Sequence, residues 1–250
     1  MFHKEYNYLI KIEYDGSSYV GWQYQKNGRS IQGKIENALG KILKMQTRLI
    51  GAGRTDKGVH AFGQYANFKK YEKIIDIKKF LNSINFFLGK SLISIISIKK
   101  KDNSFNARHN AKERIYEYKI INREGALSLY KNKAWHIKKK LDVKIMKKGA
   151  KILKGTHNFS TFRSSSCEAQ SPIKTLKKVT IVKKKSKIIL TFMSKSFLQQ
   201  QVRSMVGCLK YVGEKKWNLK KFTKVMASKK RTLCAPPAPP EGLYLARVIY

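Results

Sequence analysis

The sequence predicts an α+β fold in which one order of strands and helices is used twice. Two observations carry this prediction. Apolar residues alternate at Tyr8, Ile10, Ile12 and Tyr14, then recur at helical spacing at Ile31, Ile35, Leu39, Ile42 and Leu43, so a strand leads into a helix. The second half opens with the same alternation at Tyr116, Tyr118 and Ile120 and passes to a helical pattern near Val143 to Leu153.

The remaining elements follow in order. Strand-like runs near Thr47 to Ala52 and Phe62 to Phe68 come after the first helix. The spacing of Ile77, Phe80, Leu81, Ile84 and Leu88 predicts a second helix, and the β-rich run from Leu92 to Ile98 a closing strand. Strand, helix, strand, strand, helix, strand is the ferredoxin-like arrangement, a sheet backed by two helices. Polar, turn-forming residues mark a boundary near 101 to 112, which divides the chain into a half at 1–105 and a half at 106–250. In the second half, strands from Lys174 to Val182 and Lys187 to Phe192 precede a helix starting near Phe197. Four of the five prolines crowd into Cys234 to Gly242, a stiff loop delivering a last strand, Leu243 to Ile249.

Composition narrows the function. The 54 Lys plus Arg against 15 Asp plus Glu give a net charge of +39 over 250 residues, which fits a polyanionic partner. A field this positive strengthens encounter with nucleic acid but carries no sequence preference. Only 10 of the basic residues are Arg, so part of the charge reflects compositional drift toward Lys. A hydrophobic share of 42% with 11% aromatics excludes bulk disorder. Cys167, Cys208 and Cys234 are odd in number and form no close sequence pair for zinc, which points to a reducing cytoplasmic setting. The start, Met1 to Tyr6, has no apolar signal core, and Leu92 to Ile98 falls far short of the roughly 20 residues that cross a bilayer. A soluble protein with no membrane partner is expected.

The densest group of chemically capable residues is Gly51-Ala-Gly-Arg-Thr-Asp-Lys-Gly-Val-His-Ala-Phe-Gly63, between two strand signals where a loop presents side chains from a rigid frame. Its glycines meet neither the Walker nor the Rossmann spacing. Asp56 and His60 are four apart, but the flanking glycines argue against a helix and no third ligand is evident, so no metal site is assigned. Two readings of Asp56 stand: a carboxylate nucleophile or base kept ionised by Arg54 and Lys57, or a turn Asp bonded to its own loop.

Gly53-Arg-Thr-Asp-Lys-Gly-Val-His-Ala61 closely resembles the signature loop of the tRNA pseudouridine synthase A family. The resemblance continues in order along nearly the whole chain. It includes Asp15-Gly16, Gly21-Trp22-Gln23, Ile31-Gln32-Gly33, Phe105-Asn-Ala-Arg108 and Arg114-Ile-Tyr-Glu-Tyr118, then Gly155 to Arg163, Phe197 to Gly207 and Glu241 to Leu245. It implies the pseudouridine synthase α+β fold, two ferredoxin-like halves whose mixed, largely antiparallel sheets join with a basic cleft between them. It also implies a homodimer that modifies uridines 38, 39 and 40 of the tRNA anticodon stem-loop.

By the same resemblance, Asp56 is the catalytic carboxylate and Arg203 the guanidinium paired with it. Tyr116 stacks on the target base, and Arg54 enters the RNA stack when the nucleotide is turned out. Lys57, His60, Gln32 and Leu245 are the further candidates for contacts to RNA, with Phe159 and Phe162 beside them as residues of the surrounding shell. Breaking the bond from C1′ to N1 and joining C1′ to C5 with loss of the C5 proton needs no redox change, so neither cofactor nor metal is expected. The chain departs from the family pattern at Lys57, Ile115, Glu117 and Gln199-Gln200-Gln201. A rival reading is a non-catalytic RNA-binding or RNA-folding module, against which the intact set Asp56, Tyr116 and Arg203 counts. A carboxylate-dependent RNA hydrolase would need acidic clusters for metal ions, which the 15 scattered acids do not form.

Overall fold

Strand β1 (Tyr6–Tyr14) buries Tyr8, Ile10, Ile12 and Tyr14, the alternating set that the sequence marks. The computed structural model describes residues 4–250, so the part of the amino-terminal reading that falls on Met1, Phe2 and His3 lies outside the described residues. The chain divides into two compact units. One is the chain up to Lys112 together with Leu245–Tyr250, and the other is Glu113–Tyr244.

In the first unit, β1 leads to α1 (Ile31–Leu43), a short β2 (Ile50–Gly51), β3 (His60–Lys70), α2 (Ile77–Leu88) and β4 (Ile93–Lys101). Strand β1 runs antiparallel between β3 and β4, and β2 pairs with the other edge of β3. That order is the ferredoxin-like one expected from the sequence. Strand β10 (Leu243–Ile249) also lies beside β3. The Ser30 hydroxyl accepts from Gly33 N and the Asp76 carboxylate from Lys79 N, which caps the two helices. A buried amide pair fixes the end of the unit. Asn67 Nδ2 donates to Asn7 Oδ1 (2.9 Å), Asn7 Nδ2 to Phe105 O (2.8 Å), and Ala107 N to Asn67 Oδ1 (2.8 Å). The Phe105-to-Arg108 motif is thereby tied to the sheet by groups that would cost free energy if left unpaired.

The second unit carries β5 (Glu113–Asn122), β6 (Trp135–Ile137), α3 (Val143–Leu153), β7 (Gly155–Asn158), β8 (Ile173–Lys184), β9 (Lys187–Ser194), α4 (Gln201–Gly213) and α5 (Leu219–Ala227). Its strands lie in the order β5, β9, β8, β7, antiparallel throughout, while β6 adds to β5 in parallel. Helix α3 packs on β8, α4 and α5. The chain is therefore α+β, with ten strands and five α-helices among the described residues, and no helix in them is long and apolar enough to cross a membrane.

Several expected boundaries move by a few residues, among them these two. The run from Thr47 to Ala52 pairs only at Ile50 and Gly51. The helix expected near Phe197 begins at Gln201, because Gln200 holds a left-handed φ of 61° that interrupts the helical path.

Helix α4 lies hard against the proline-rich loop, and Gly207 makes that approach possible. A Cβ there would stand 2.1 Å from Pro236 O. Gly207→Ala should lose about 1–3 kcal/mol to overpacking, outweighing the roughly 1 kcal/mol that Ala gains over Gly in a helix. A lowered urea midpoint at unchanged m-value is the expected result.

Candidate active site

The loop from Ala52 to Val59 hangs between β2 and β3 and is held by the segment joining β1 to α1. Gly21 and Asp56 form an antiparallel bridge, and Trp22 N donates to Thr55 O at 3.0 Å. Gly21 has φ +122°, and a Cβ on it would stand 2.7 Å from Thr55 O, so only glycine fits this crossing. The Trp22 indole is buried against Gly51. The Tyr14 hydroxyl shares a 2.8 Å hydrogen bond with Thr55 Oγ1. On the far side, Gln64 Nε2 donates to Gly53 O at 2.7 Å and Ala52 N to Tyr65 O at 2.7 Å. The sequence pattern marks Gly21 and Trp22 without giving them a task; the structure makes them the brace of the Asp56 loop. Tyr14 and Thr55 carry no signal beyond a strand alternation and a loop position.

On this frame Asp56 is half-buried while Arg54 and Lys57 are exposed on either side of it. His60 is buried at the start of β3, with Nδ1 3.1 Å from Gly16 N and 3.0 Å from Asp15 Oδ1. A bare Nδ1 accepts the Gly16 N–H and an Nδ1–H donates to Asp15, so the ring makes one of these contacts at a time. Tyr19 donates its hydroxyl to Ser91 O, and burial raises its pKa, which extends this donor's range above that of an ordinary tyrosine. Gln32 is buried in the first turn of α1. Its Oε1 accepts from Tyr24 N (3.1 Å), and its Nε2 donates to Glu36 Oε1 (2.8 Å) and Leu49 O (3.3 Å). Leu245 is fully buried in β10.

Tyr116 and Arg203 belong to the second unit. Tyr116 lies in β5 opposite Phe192, 8% exposed, with its ring edge-on to Phe197 at 5.2 Å between centroids. Arg203 lies in the first turn of α4. Its Nε donates to Ala238 O at 2.7 Å and its carbonyl accepts from Ala238 N at 2.9 Å, so two bonds fix one residue of the proline-rich loop to the helix. Tyr118 donates to Pro239 O at 2.7 Å, and burial raises its pKa well above the ordinary value, which keeps this donor protonated. Phe159 and Phe162 are buried in the core of this unit. Cys208 and Cys234, remote in sequence, bring their free thiols to 3.5 Å, and their shared hydrogen bond raises Cys208 and lowers Cys234.

Asp56, Arg54, Lys57, His60, Gln32 and Leu245 thus belong to the first unit, and Tyr116 and Arg203 to the second. The second-unit motifs fall mostly within residues 150–250, which match the family model described as tRNA pseudouridine synthase. Over 98% of its length the chain is 56% identical to the tRNA pseudouridine synthase A of Pelagibacter ubique (strain HTCC1062), covering all of that protein. It is 42% identical to the protein of the same name from Afipia carboxidovorans, over 97% of this chain and 99% of that one. For the relative so named from Parvibaculum lavamentivorans the identity is 41%, over 97% and 98%. With such identities running end to end through both chains, and with the marked loop braced as a rigid presenter of its carboxylate, the chain belongs to the tRNA pseudouridine synthase A family.

Proposed function

We propose that this protein isomerises uridine to pseudouridine in tRNA, acting at positions 38, 39 and 40 of the anticodon stem-loop as a cytoplasmic homodimer. One observation carries the reading. The Gly21–Asp56 bridge holds a carboxylate on a loop fixed from both sides, flanked by exposed cations, in a chain that shares end-to-end identity with tRNA pseudouridine synthases A.

The reaction constrains the roles. The bond from C1′ to N1 breaks, the uracil turns, C1′ joins C5, and the C5 proton is lost as N1 gains one, so atoms and electrons balance without an external reagent. Asp56 is the catalytic carboxylate. Attack on C1′, attack on C6 and removal of a ribose proton all require it ionised, and the positive charge of Arg54 and Lys57 favours that form. Arg203 is assigned the second catalytic role, that of a guanidinium suited to charge-assisted hydrogen bonds. A uracil inside a helix is out of reach, so the nucleotide must leave the stack. Tyr116 supplies the aromatic surface that receives the base, and Arg54, exposed and planar at its tip, fills the space it leaves. Lys57 reaches a neighbouring phosphate, whereas His60, Gln32 and Leu245 act from beneath, by keeping the surfaces that meet RNA in place.

Asp56→Asn should lower pseudouridine formation by about 10³-fold or more, a loss of roughly 4 kcal/mol of transition-state stabilisation. Its tRNA affinity and melting transition should match wild type. Tritium release from tRNA labelled at uridine C5 measures the rate, and mapping of the modified sites tests positions 38 to 40. An active Asp56→Asn protein would remove the carboxylate from the mechanism. Because phosphate contacts dominate RNA binding to so basic a chain, affinity should fall about 10³-fold or more between 50 and 200 mM salt, as roughly six or more phosphate contacts require. A nearly flat dependence counts against that mode. Light scattering should give twice the 28.9 kDa chain mass; a mass of one chain rejects the homodimer.

A further inference from the structure

Within the segment that braces Asp56, one aromatic side chain faces outward. Trp22 is buried, but Tyr24, two residues on, is 50% exposed. Its position is nevertheless fixed. Its backbone N–H donates to Gln32 Oε1 at 3.1 Å, and Gln32 is itself buried and bonded to Glu36 and Leu49. Its ring lies along the first turn of α1 at Gly33, where a Cβ would come within 3.0 Å of Tyr24 Cδ2 and 3.6 Å of Cε2. A side chain at position 33 would lift the ring away. The loop carrying Tyr24 is closed by Val20 N donating to Arg29 O at 3.0 Å, and the Arg29 guanidinium stands 5.8 Å from the Tyr19 ring. An outward ring held this way has already lost the rotamer freedom that a loose surface tyrosine loses on binding.

Its surroundings indicate what it meets. Gln23, Gln25, Lys26, Asn27 and Arg29 are all exposed, so the ring sits among polar and cationic groups and not within an apolar patch of the kind that marks a protein interface. Tyr24 lies three residues beyond Gly21, which is bridged to Asp56. At no more than ~3.6 Å per residue, plus ~5 Å across the bridge, its Cα is within roughly 16 Å of the Asp56 Cα. At about 3.4 Å per stacked nucleotide, that distance spans some five nucleotides.

We propose that Tyr24 is a stacking platform for an RNA base lying within a few nucleotides of the target uridine, with Lys26 and Arg29 contacting the phosphates on either side. This rests on the reading of the protein as an enzyme of tRNA. Every base has a π-face, so such a platform serves substrates of unrelated sequence. It acts as a positioning residue, holding the strand while Asp56 works on a different nucleotide.

The test compares wild type, Tyr24→Ala, Tyr24→Phe and, as an exposed aromatic elsewhere in the first unit, Tyr71→Ala. Each is titrated with anticodon stem-loop RNAs carrying a single 2-aminopurine at successive positions, and kcat and KM are measured on tRNA. Tyr24→Ala should raise Kd and KM about 5- to 150-fold, the range of one lost base stack, leave kcat at saturation within about 3-fold, and abolish fluorescence quenching at one position. Tyr24→Phe and Tyr71→Ala should behave as wild type, and unchanged melting transitions separate these effects from unfolding. Unchanged Kd and quenching in Tyr24→Ala overturn the proposal, as does a Tyr24→Phe protein as weak as Tyr24→Ala, which would make the hydroxyl the contact. A wild type that binds and quenches but forms no pseudouridine would refute the catalytic reading and leave the platform standing.

Discussion

The first unit depends on the antiparallel bridge between Gly21 and Asp56. Two surface loops, one after β1 and one before β3, would each be mobile alone, since loops have few neighbours of their own. Joined by the bridge, by Trp22 N on Thr55 O and by the Tyr14–Thr55 contact, each becomes the other's support. The bonds that do this lie mainly in the backbone, so the loop's fixation does not depend on which side chain stands at position 56. Reactive groups need placement to within about 0.5 Å, and a loop reaches that only when rigid elements grip it from both sides. The outer half of the same segment carries Tyr24, so the device that fixes the carboxylate also fixes an aromatic surface three residues away.

The charge of +39 sets a second constraint. With 15 acids for 54 bases, ion pairs cannot neutralise the lysines, and the fold accommodates many of them against aromatic rings. Lys100 lies over Tyr6, Lys41 over Phe87, Lys210 over Trp135 and Lys221 over Trp217, each Nζ between 5 and 6 Å from the ring centroid. Such contacts bury the aliphatic stem and keep the ammonium near solvent. Lys119 is the extreme case, with its Nζ 3.7 Å from the centroid of Tyr244. Burial, then the like charge of Lys187, lowers its pKa to about 8, with Glu117 acting in the opposite sense and Lys133 adding a smaller push down. Between that value and the ordinary lysine range the unfolded chain binds the extra proton, so this group's contribution to stability rises with pH there. The lysine excess is thus partly taken into the packing, and the rest forms the field that an RNA backbone meets.

Much of this was legible in the residues. Helix α3 and strand β10 fall at Val143–Leu153 and Leu243–Ile249 as the periodicity and the proline-rich approach require. Helix α5 escaped, although Leu219, Phe222, Val225 and Met226 lie on one face and Asn218 caps it, because Lys220, Lys221 and Lys224 dilute the pattern over only nine residues. Strand β6 escaped because three residues added in parallel to β5 carry no alternation of their own. At the site, the density of Gly, Arg, Asp and His around Asp56 is a local signal and was readable. The grip of Gly21 on Asp56, or of Cys208 on Cys234, joins residues some 26 to 35 positions apart, and spacing cannot encode such a meeting.

The proline-rich loop shows the same logic from the opposite direction. Pro236, Pro237, Pro239 and Pro240 have no N–H to give, so the carbonyls from Ala235 to Pro240 depend on donors from elsewhere if they are to be buried. Two of those donors are side chains that the sequence places in functional motifs: Arg203 Nε on Ala238 O and the Tyr118 hydroxyl on Pro239 O. Close approach is needed for both, and glycines provide it, Gly207 beneath Pro236 and Gly242 beside the Tyr118 ring. Arg203 therefore has its Nε committed to the loop before any substrate arrives, which orients the plane of its guanidinium. A lysine there would keep the charge and lose the plane. The conjunction of Arg203, Gly207, Tyr118 and the prolines is best understood as one joint, whose stiffness determines the direction in which that guanidinium points.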